Sequence, residues 1–264
     1  MARRWTIAEE QHYREQLQKL YVRQNKTIGE ISGLLNLSDR TVFKRLQRLG
    51  IPSHPEKKFG YLTTLKEISL PKERSELLAE FFGIMLGDGH VSHFQTLVTL
   101  GTKELEYVEY VSELMQRLFN TPATIGVRSD GYRDVYIGSV CLTKWLKSEG
   151  LVANKVASQV AAPSWIFYTP EYMRAFLKGF FDTDGSFYLL RFGRQISLTN
   201  KSIPLLHSLR DMLVKLEFKP SEVSSFRVYL TRREDVERFF REIRPANTKH
   251  LRRFKYLTRR YPSG

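Results

Sequence analysis

The chain has 264 residues, with 42 Lys and Arg against 28 Asp and Glu and a net charge of +14. A hydrophobic fraction of 42% permits a substantial core and excludes a basic disordered tail, and the single cysteine, Cys141, excludes an intrachain disulfide framework and a zinc cluster. A folded protein this cationic is expected to meet a polyanion, because neutralising phosphates releases counterions. No apolar run approaches the ~20 residues needed to span a bilayer. The N-terminal MARRWTIAEEQ lacks the apolar stretch of a signal peptide. An intracellular location, cytoplasmic or organellar and nucleoid-associated, with no membrane partner, is the expectation.

The first elements are helical. Glu9 to Gln24 reads as a polar-surfaced helix, and Thr27 to Gly50 as two helices joined by a tight turn. Ile28, Ile31, Leu34 and Leu35 are assigned to the inner face of the first of these. Asn36 suits the left-handed backbone of the turn, and Ser38 suits an N-cap. Val42, Leu46 and Leu49 form the inner face of the second helix, while Arg40, Lys44, Arg45 and Arg48 line its outside. The pattern resembles a helix-turn-helix over 1–52, with Ser38 to Arg48 as recognition helix and Arg40, Thr41, Lys44 and Arg45 as DNA contacts. A proline-punctuated linker, 53–74, follows; Pro52, Pro55 and Pro71 stiffen the stretch, and Lys57 and Lys58 add charge.

From about Ser75 the chain repeats itself. FFGIMLGDG (Phe81 to Gly89) and LKGFFDTDG (Leu177 to Gly185) place Gly83 over Gly179 and Asp88 over Asp184, an offset of 184 − 88 = 96. Lys103 pairs with Lys201 at an offset of 98, and Lys155 with Lys249 at an offset of 94. Two halves, 75–168 and 169–264, are thus expected to be related by a pseudo-two-fold axis. Each half reads as a motif helix, two strands, a helix, two strands and a closing helix. The expected fold is therefore α+β, a pair of αββαββα halves with antiparallel four-stranded sheets. Tyr132 to Ile137 and Phe226 to Leu230 alternate with period two; Ser129-Asp130-Gly131 is a hairpin turn, and Gly193 suits the turn before Gln195. The free faces of these sheets, with Arg128, Arg133, Arg191, Arg194, Gln195, Ser197, Arg227 and Arg232 as candidate contacts, suit the major groove, although not all of these residues can point the same way.

The motif helices are apolar almost all round, as expected where two helices pack against each other at a dyad. Glycine inside a helix costs ~1 kcal/mol relative to alanine, so Gly83 and Gly179 imply a close backbone approach that offsets it. Asp88 and Asp184 then fall at helix C-termini, where the macrodipole already places negative charge. A divalent cation held by both carboxylates and by the exposed carbonyls of Gly87 and Thr183 resolves that conflict. Magnesium suits such a site, with Mn2+ or Ca2+ able to substitute in binding.

This pair of motifs resembles the double signature of LAGLIDADG homing endonucleases in their single-chain form, over roughly Ser75 to Tyr256. The resemblance implies that Asp88 and Asp184 are the metal-binding acids, that the Gly87 and Thr183 carbonyls face the metals, and that Lys155 and Lys249 lie near the reacting phosphates. One departure is that the earlier acidic position holds Asp182 in the second copy but Leu86 in the first. The implied function is a metal-dependent, staggered double-strand break with 3′ overhangs in a long asymmetric duplex, made by a monomer without an obligate protein partner. The alternatives are a catalytically silent DNA-binding regulator and an intron RNA maturase. An intein-embedded form is not expected, because the chain starts at Met1 and ends in RRYPSG, without a terminal splicing pair.

Overall fold

The structure is a computed structural model in which residues 5–24, 26–51, 68–152, 154–191 and 193–260 are described. They belong to two compact units, Met1–Leu65 and Lys66–Gly264. Pro52 and, within the expected linker, Pro55, Lys57 and Lys58 lie outside the described residues. Among those residues no helix is long and apolar enough to cross a membrane.

The first unit is all-helical. Helix α1 (Ile7–Leu17) starts at a capping box, in which Glu9 N donates to Thr6 Oγ1 at 3.2 Å and Thr6 N donates to Glu9 Oε2 at 2.8 Å. It runs on into a π-helical turn, Gln18–Arg23. Helix α2 (Ile28–Leu35) starts at an equivalent box of Thr27 and Glu30 and stops at Asn36, whose φ of 51° is left-handed as expected. Ser38 Oγ accepts from Thr41 N at 3.3 Å and caps α3 (Asp39–Arg48). Leu17, Tyr21, Ile31, Val42, Leu46, Leu49 and Ile51 form the core. The assignment of Leu34 to the inner face is corrected, because it is 60% exposed. Ile28, Ile31 and Leu35 lie on one stripe, and the helical step carries Leu34 off its edge.

The second unit takes its elements in the expected order through its first half. Helix α4 (Glu76–Leu86) is followed by β1 (Gly89–Val91), β2 (Gln95–Leu100), α5 (Leu105–Phe119), β3 (Thr124–Val127), β4 (Arg133–Gly138) and α6 (Val140–Ser148). The second half holds α7 (Pro170–Asp184), β5 (Gly185–Leu190), β6 (Gly193–Thr199), α8 (Ile203–Lys215), β7 (Arg227–Leu230), α9 (Arg233–Glu242) and α10 (Thr248–Arg260). The first sheet is antiparallel in the order β1-β2-β4-β3. The second is three-stranded, β5-β6-β7, which corrects the expected four. Pro220 has no N–H to give a ladder, and Ser225 and Phe226 turn tightly at φ 49° and 60°. Ser221 still follows the path of the missing strand. Its N–H donates to Tyr229 O at 2.9 Å, but its hydroxyl rather than its carbonyl accepts from Tyr229 N, at 3.0 Å. The first hairpin turn is as read, with Gly131 at φ 85°. Gly193 begins β6, paired with Leu190, instead of forming the turn itself.

Helices cover one face of each sheet, and α4 and α7 pack together at the centre of the core. Their contact is reciprocal at the two glycines. A Cβ on Gly83 would overlap the Phe176 carbonyl and the Phe180 amide, and a Cβ on Gly179 would overlap the Glu80 carbonyl. One side of this interface is polar. Glu80 is buried in α4, pairs with Lys178 at 3.0 Å and accepts from Tyr110 Oη at 2.6 Å.

Candidate active site at the tips of the paired helices

Each motif helix ends directly before a strand, so each acid is fixed between a helix end and a sheet. Helix α7 runs through Asp184 to β5. Helix α4 stops at Leu86 and leaves Gly87 and Asp88 in a turn before β1. Asn200, just beyond β6, donates to Asp184 Oδ2 at 3.0 Å. Burial, and then the charge of Asp88, push the Asp184 carboxyl up to about 6, against the opposing pull of Asn200, Lys155 and Lys249. Asp88 reaches solvent, yet the crowding protein still raises its pKa by desolvation, with Lys249 and Lys155 opposing and Glu104 reinforcing. The two aspartates and two lysines singled out from the repeat therefore lie in one electrostatic neighbourhood.

The lysines occupy different positions within it. Lys155 Nζ donates to Met85 O at 3.1 Å, to Leu86 O at 3.3 Å and to Gly87 O, so it crowns the carbonyl end of α4. Burial lowers its pKa, and Asp184 and Asp88 oppose that shift. Lys249 instead pairs with Glu104 Oε1 at 2.7 Å. Glu104 also accepts from Gly101 N at 2.6 Å and from Asn247 Nδ2 at 2.7 Å. Burial would raise its pKa, but the bonds from Lys249 and Asn247 outweigh that and hold it below the usual value. Asp182 is buried and accepts from Ala246 N at 2.8 Å and Asn247 N at 3.0 Å; burial pushes it up to about 7. It thus holds the turn that enters α10, while Leu86, its counterpart, is core.

Among the described residues no group of three His, Cys, Asp or Glu side chains could hold a metal. Any cation here would rest on two carboxylates, main-chain carbonyls and non-protein ligands. The donor set nonetheless fits a hard divalent ion. It is all oxygen, and burial shifts both carboxylates toward protonation, a cost that a bound cation would offset. The Gly87 carbonyl is engaged by Lys155, and the Thr183 hydroxyl bonds back to Gly179 O and Phe180 O.

The expected DNA contacts separate by strand parity. Arg194 shares its face with Ile196 and Leu198, is buried, and bonds Glu237 at 3.1 Å, so it is withdrawn from the open sheet face, a correction. Gln195 and Ser197 have the opposite parity but are largely covered. Arg227 lies opposite Thr199, on the open side, and bonds the Tyr229 side chain. Arg191 is exposed beside the β5–β6 turn, and Arg232 is exposed at the start of α9. Arg128 and Arg133 flank the β3–β4 turn, Arg133 Nη1 reaching Thr102 O at 3.2 Å. In the first unit Arg40 and Lys44 are exposed, Thr41 is half-buried, and Arg45 stacks over the Tyr13 ring at 4.1 Å. Glu104, Asn200 and Asn247 were not singled out from sequence; the available signal was a polar residue at two strand-to-helix junctions, for Glu104 and Asn200, and in the turn between α9 and α10, for Asn247.

The fold and site define an α+β protein in which two tightly packed helices carry paired acids beneath antiparallel sheets. Residues 171–244 match the family model described as a LAGLIDADG-like domain. A stretch of 112 residues, 42% of the chain, is 30% identical to the replication factor C small subunit of Methanocaldococcus jannaschii, of whose length it spans 6%. Among solved structures, I-DmoI in complex with DNA and Mn aligns with a TM-score of 0.48 at 17% identity, over 64% of this chain and 96% of that one. The N-terminal LAGLIDADG domain of DUF199/WhiA aligns with a TM-score of 0.46 at 17% identity, over 71% and 90%.

Proposed function

We propose that this chain is a site-specific DNA endonuclease that makes a metal-dependent, staggered double-strand break in a long asymmetric duplex. The observation that carries the reading is the meeting of Asp88, Asp184, Lys155 and Lys249 at the tips of two helices locked together through Gly83 and Gly179. Asp88 and Asp184 would hold Mg2+, which when bound would supply Lewis-acid activation of water and neutralisation of the leaving oxygen. Lys155 and Lys249 add positive charge where the phosphate becomes more negative. Open sheet faces and rim arginines such as Arg227 and Arg128 hold the duplex. The chain acts as a monomer, because both half-sites lie in one polypeptide. The partition into a DNA-binding module (1–52), a linker (53–74) and two endonuclease halves (75–168 and 169–264) belongs to the same proposal. Incubating a duplex selected from a randomised pool with the full chain and Mg2+ tests it: two shorter fragments support the endonuclease, and binding without scission supports a DNA-binding regulator.

Two further outcomes follow. Protons compete with the cation for Asp184, whose pKa is about 6, so cation affinity measured by calorimetry falls as pH drops below that value and flattens above it. Displacing one proton predicts about a ten-fold loss per pH unit below that pKa. The sign is that of a carboxyl whose neutral form the metal-free fold prefers: ionisation costs stability as pH rises through 6, and the cation offsets that cost. An affinity independent of pH between 4.5 and 7.5 would remove Asp184 from the ligand set. In the first unit, Arg40→Glu with Lys44→Glu should weaken DNA binding, and the slope of log affinity against log salt should become shallower by about two units. An unchanged slope would place this helix away from phosphates.

A further inference from the structure

The two halves exchange segments across their interface, and the exchanges differ in chemistry. On one side the stretch after α6 crosses to the start of α8. Ile203 N donates to Gln159 Oε1 at 3.2 Å, and Ser202 Oγ donates to Val160 O at 2.6 Å. On the other side α10 and the turn before it cross to the start of α5. Asn247 Nδ2 and Lys249 Nζ both reach Glu104 Oε1 at 2.7 Å, and Arg252 reaches Glu106 at 2.6 Å. The first crossing is neutral and the second is charged. Ser202 stands in register with Glu104 at the offset of 98, so the acid exists in one half only.

The consequence falls on the two lysines. Lys155 donates to three main-chain carbonyls, and among the described residues it makes no ion pair with a carboxylate. Lys249 is tied to a carboxylate whose side chain is 13% exposed and is held in place by Gly101 and Asn247. A lysine paired with a carboxylate exerts a much smaller field on a phosphate than an unpaired one.

We infer that Glu104 is a positioning residue that restrains Lys249 and makes the two half-sites unequal, so that the strand whose phosphate meets Lys249 is cut second. This rests on the endonuclease reading and adds the order of scission to it.

The test uses the full chain and a selected duplex labelled separately on each strand. In Mg2+ the wild type should cut one strand about ten-fold faster than the other, one charge across a partly buried site being enough for that factor. Glu104→Gln should bring the two rates within about two-fold by accelerating the slow strand, and Lys249→Met should slow that same strand further. With EDTA in place of metal, Glu104→Gln should steepen the salt dependence of binding by about one unit, as Lys249 becomes available to a phosphate. A strand ratio and salt slope left as in the wild type, or a proportional slowing of both strands, would overturn the inference. Lys249→Met guards against a folding defect in the Glu104 variant: loss on both strands alike would also overturn it. Failure of the wild type to cut either strand in Mg2+ or Mn2+ would instead remove the endonuclease reading, and the salt slope in EDTA would still decide whether Glu104 restrains Lys249.

Discussion

Asp184→Asn and, separately, Asp88→Asn should each abolish double-strand cleavage, with the rate falling by at least about 1,000-fold, while affinity for the duplex in EDTA changes by no more than about three-fold. Asparagine keeps the shape of the side chain but gives up the charge that would hold a cation. The loss should not come from unfolding. In the metal-free protein the Asp184 carboxyl is already pushed up to about 6, by burial first and then by Asp88, so removing its charge relieves a cost at neutral pH. The asparagine variants should therefore melt at or above the wild-type temperature without metal, and should lose the rise in melting temperature that Mg2+ gives the wild type. Calorimetric melting with and without Mg2+, beside a plasmid cleavage assay, checks both halves of this expectation. A variant that cuts both strands at the wild-type rate would eliminate that carboxylate from the mechanism.

The second large effect is on the fold. Gly83→Ala and Gly179→Ala each introduce a Cβ into the main chain of the facing helix, which cannot move aside as a flexible side chain could. Each should destabilise the second unit by about 3 kcal/mol, the upper part of the overpacking range, and lower its melting temperature by roughly 10 °C. Gly33 in α2 provides the contrast. Nothing lies within 4 Å of a Cβ built there, so Gly33→Ala should stabilise the first unit by about 0.5–1 kcal/mol through helix propensity. Thermal unfolding of the three variants separates close packing from a general intolerance of substitution. Equal and small shifts in all three would mean that the paired helices do not approach as closely as the reciprocal contacts indicate.

The central architecture was legible because it is written twice. A repeated apolar helix with an internal glycine and a terminal Asp-Gly admits few packings, and Asp88, Asp184, Lys155 and Lys249 act on one another electrostatically in the structure. Local cap chemistry was equally readable: Asn36 takes its left-handed φ and Ser38 its N-cap role. What escaped were features set by long-range pairing. Strand parity, fixed by partners some thirty residues away, turns Arg194 toward Glu237 while Arg227 stays on the open side. The fourth strand of the second sheet is lost to a proline and two residues in left-handed backbone, a local cost that alternation alone does not reveal. The partnership of Glu104 with Lys249 and Asn247 joins residues 143 or more positions apart in the chain, and no sequence period marks it. Arg45 shows the same limit on a smaller scale, since a basic helical face gives no sign that one of its members is stacked on an aromatic ring from another helix.

In the proposed function, paired aspartates at the helix tips let this chain cut both strands of a duplex. The most direct measurement is to incubate the full-length wild type with its selected duplex in Mg2+ and in EDTA, and to map both new ends. Scission of both strands is expected in Mg2+ alone, at two phosphates offset by a few base pairs to leave 3′ overhangs. A duplex that is bound tightly yet stays intact in both Mg2+ and Mn2+ would contradict it.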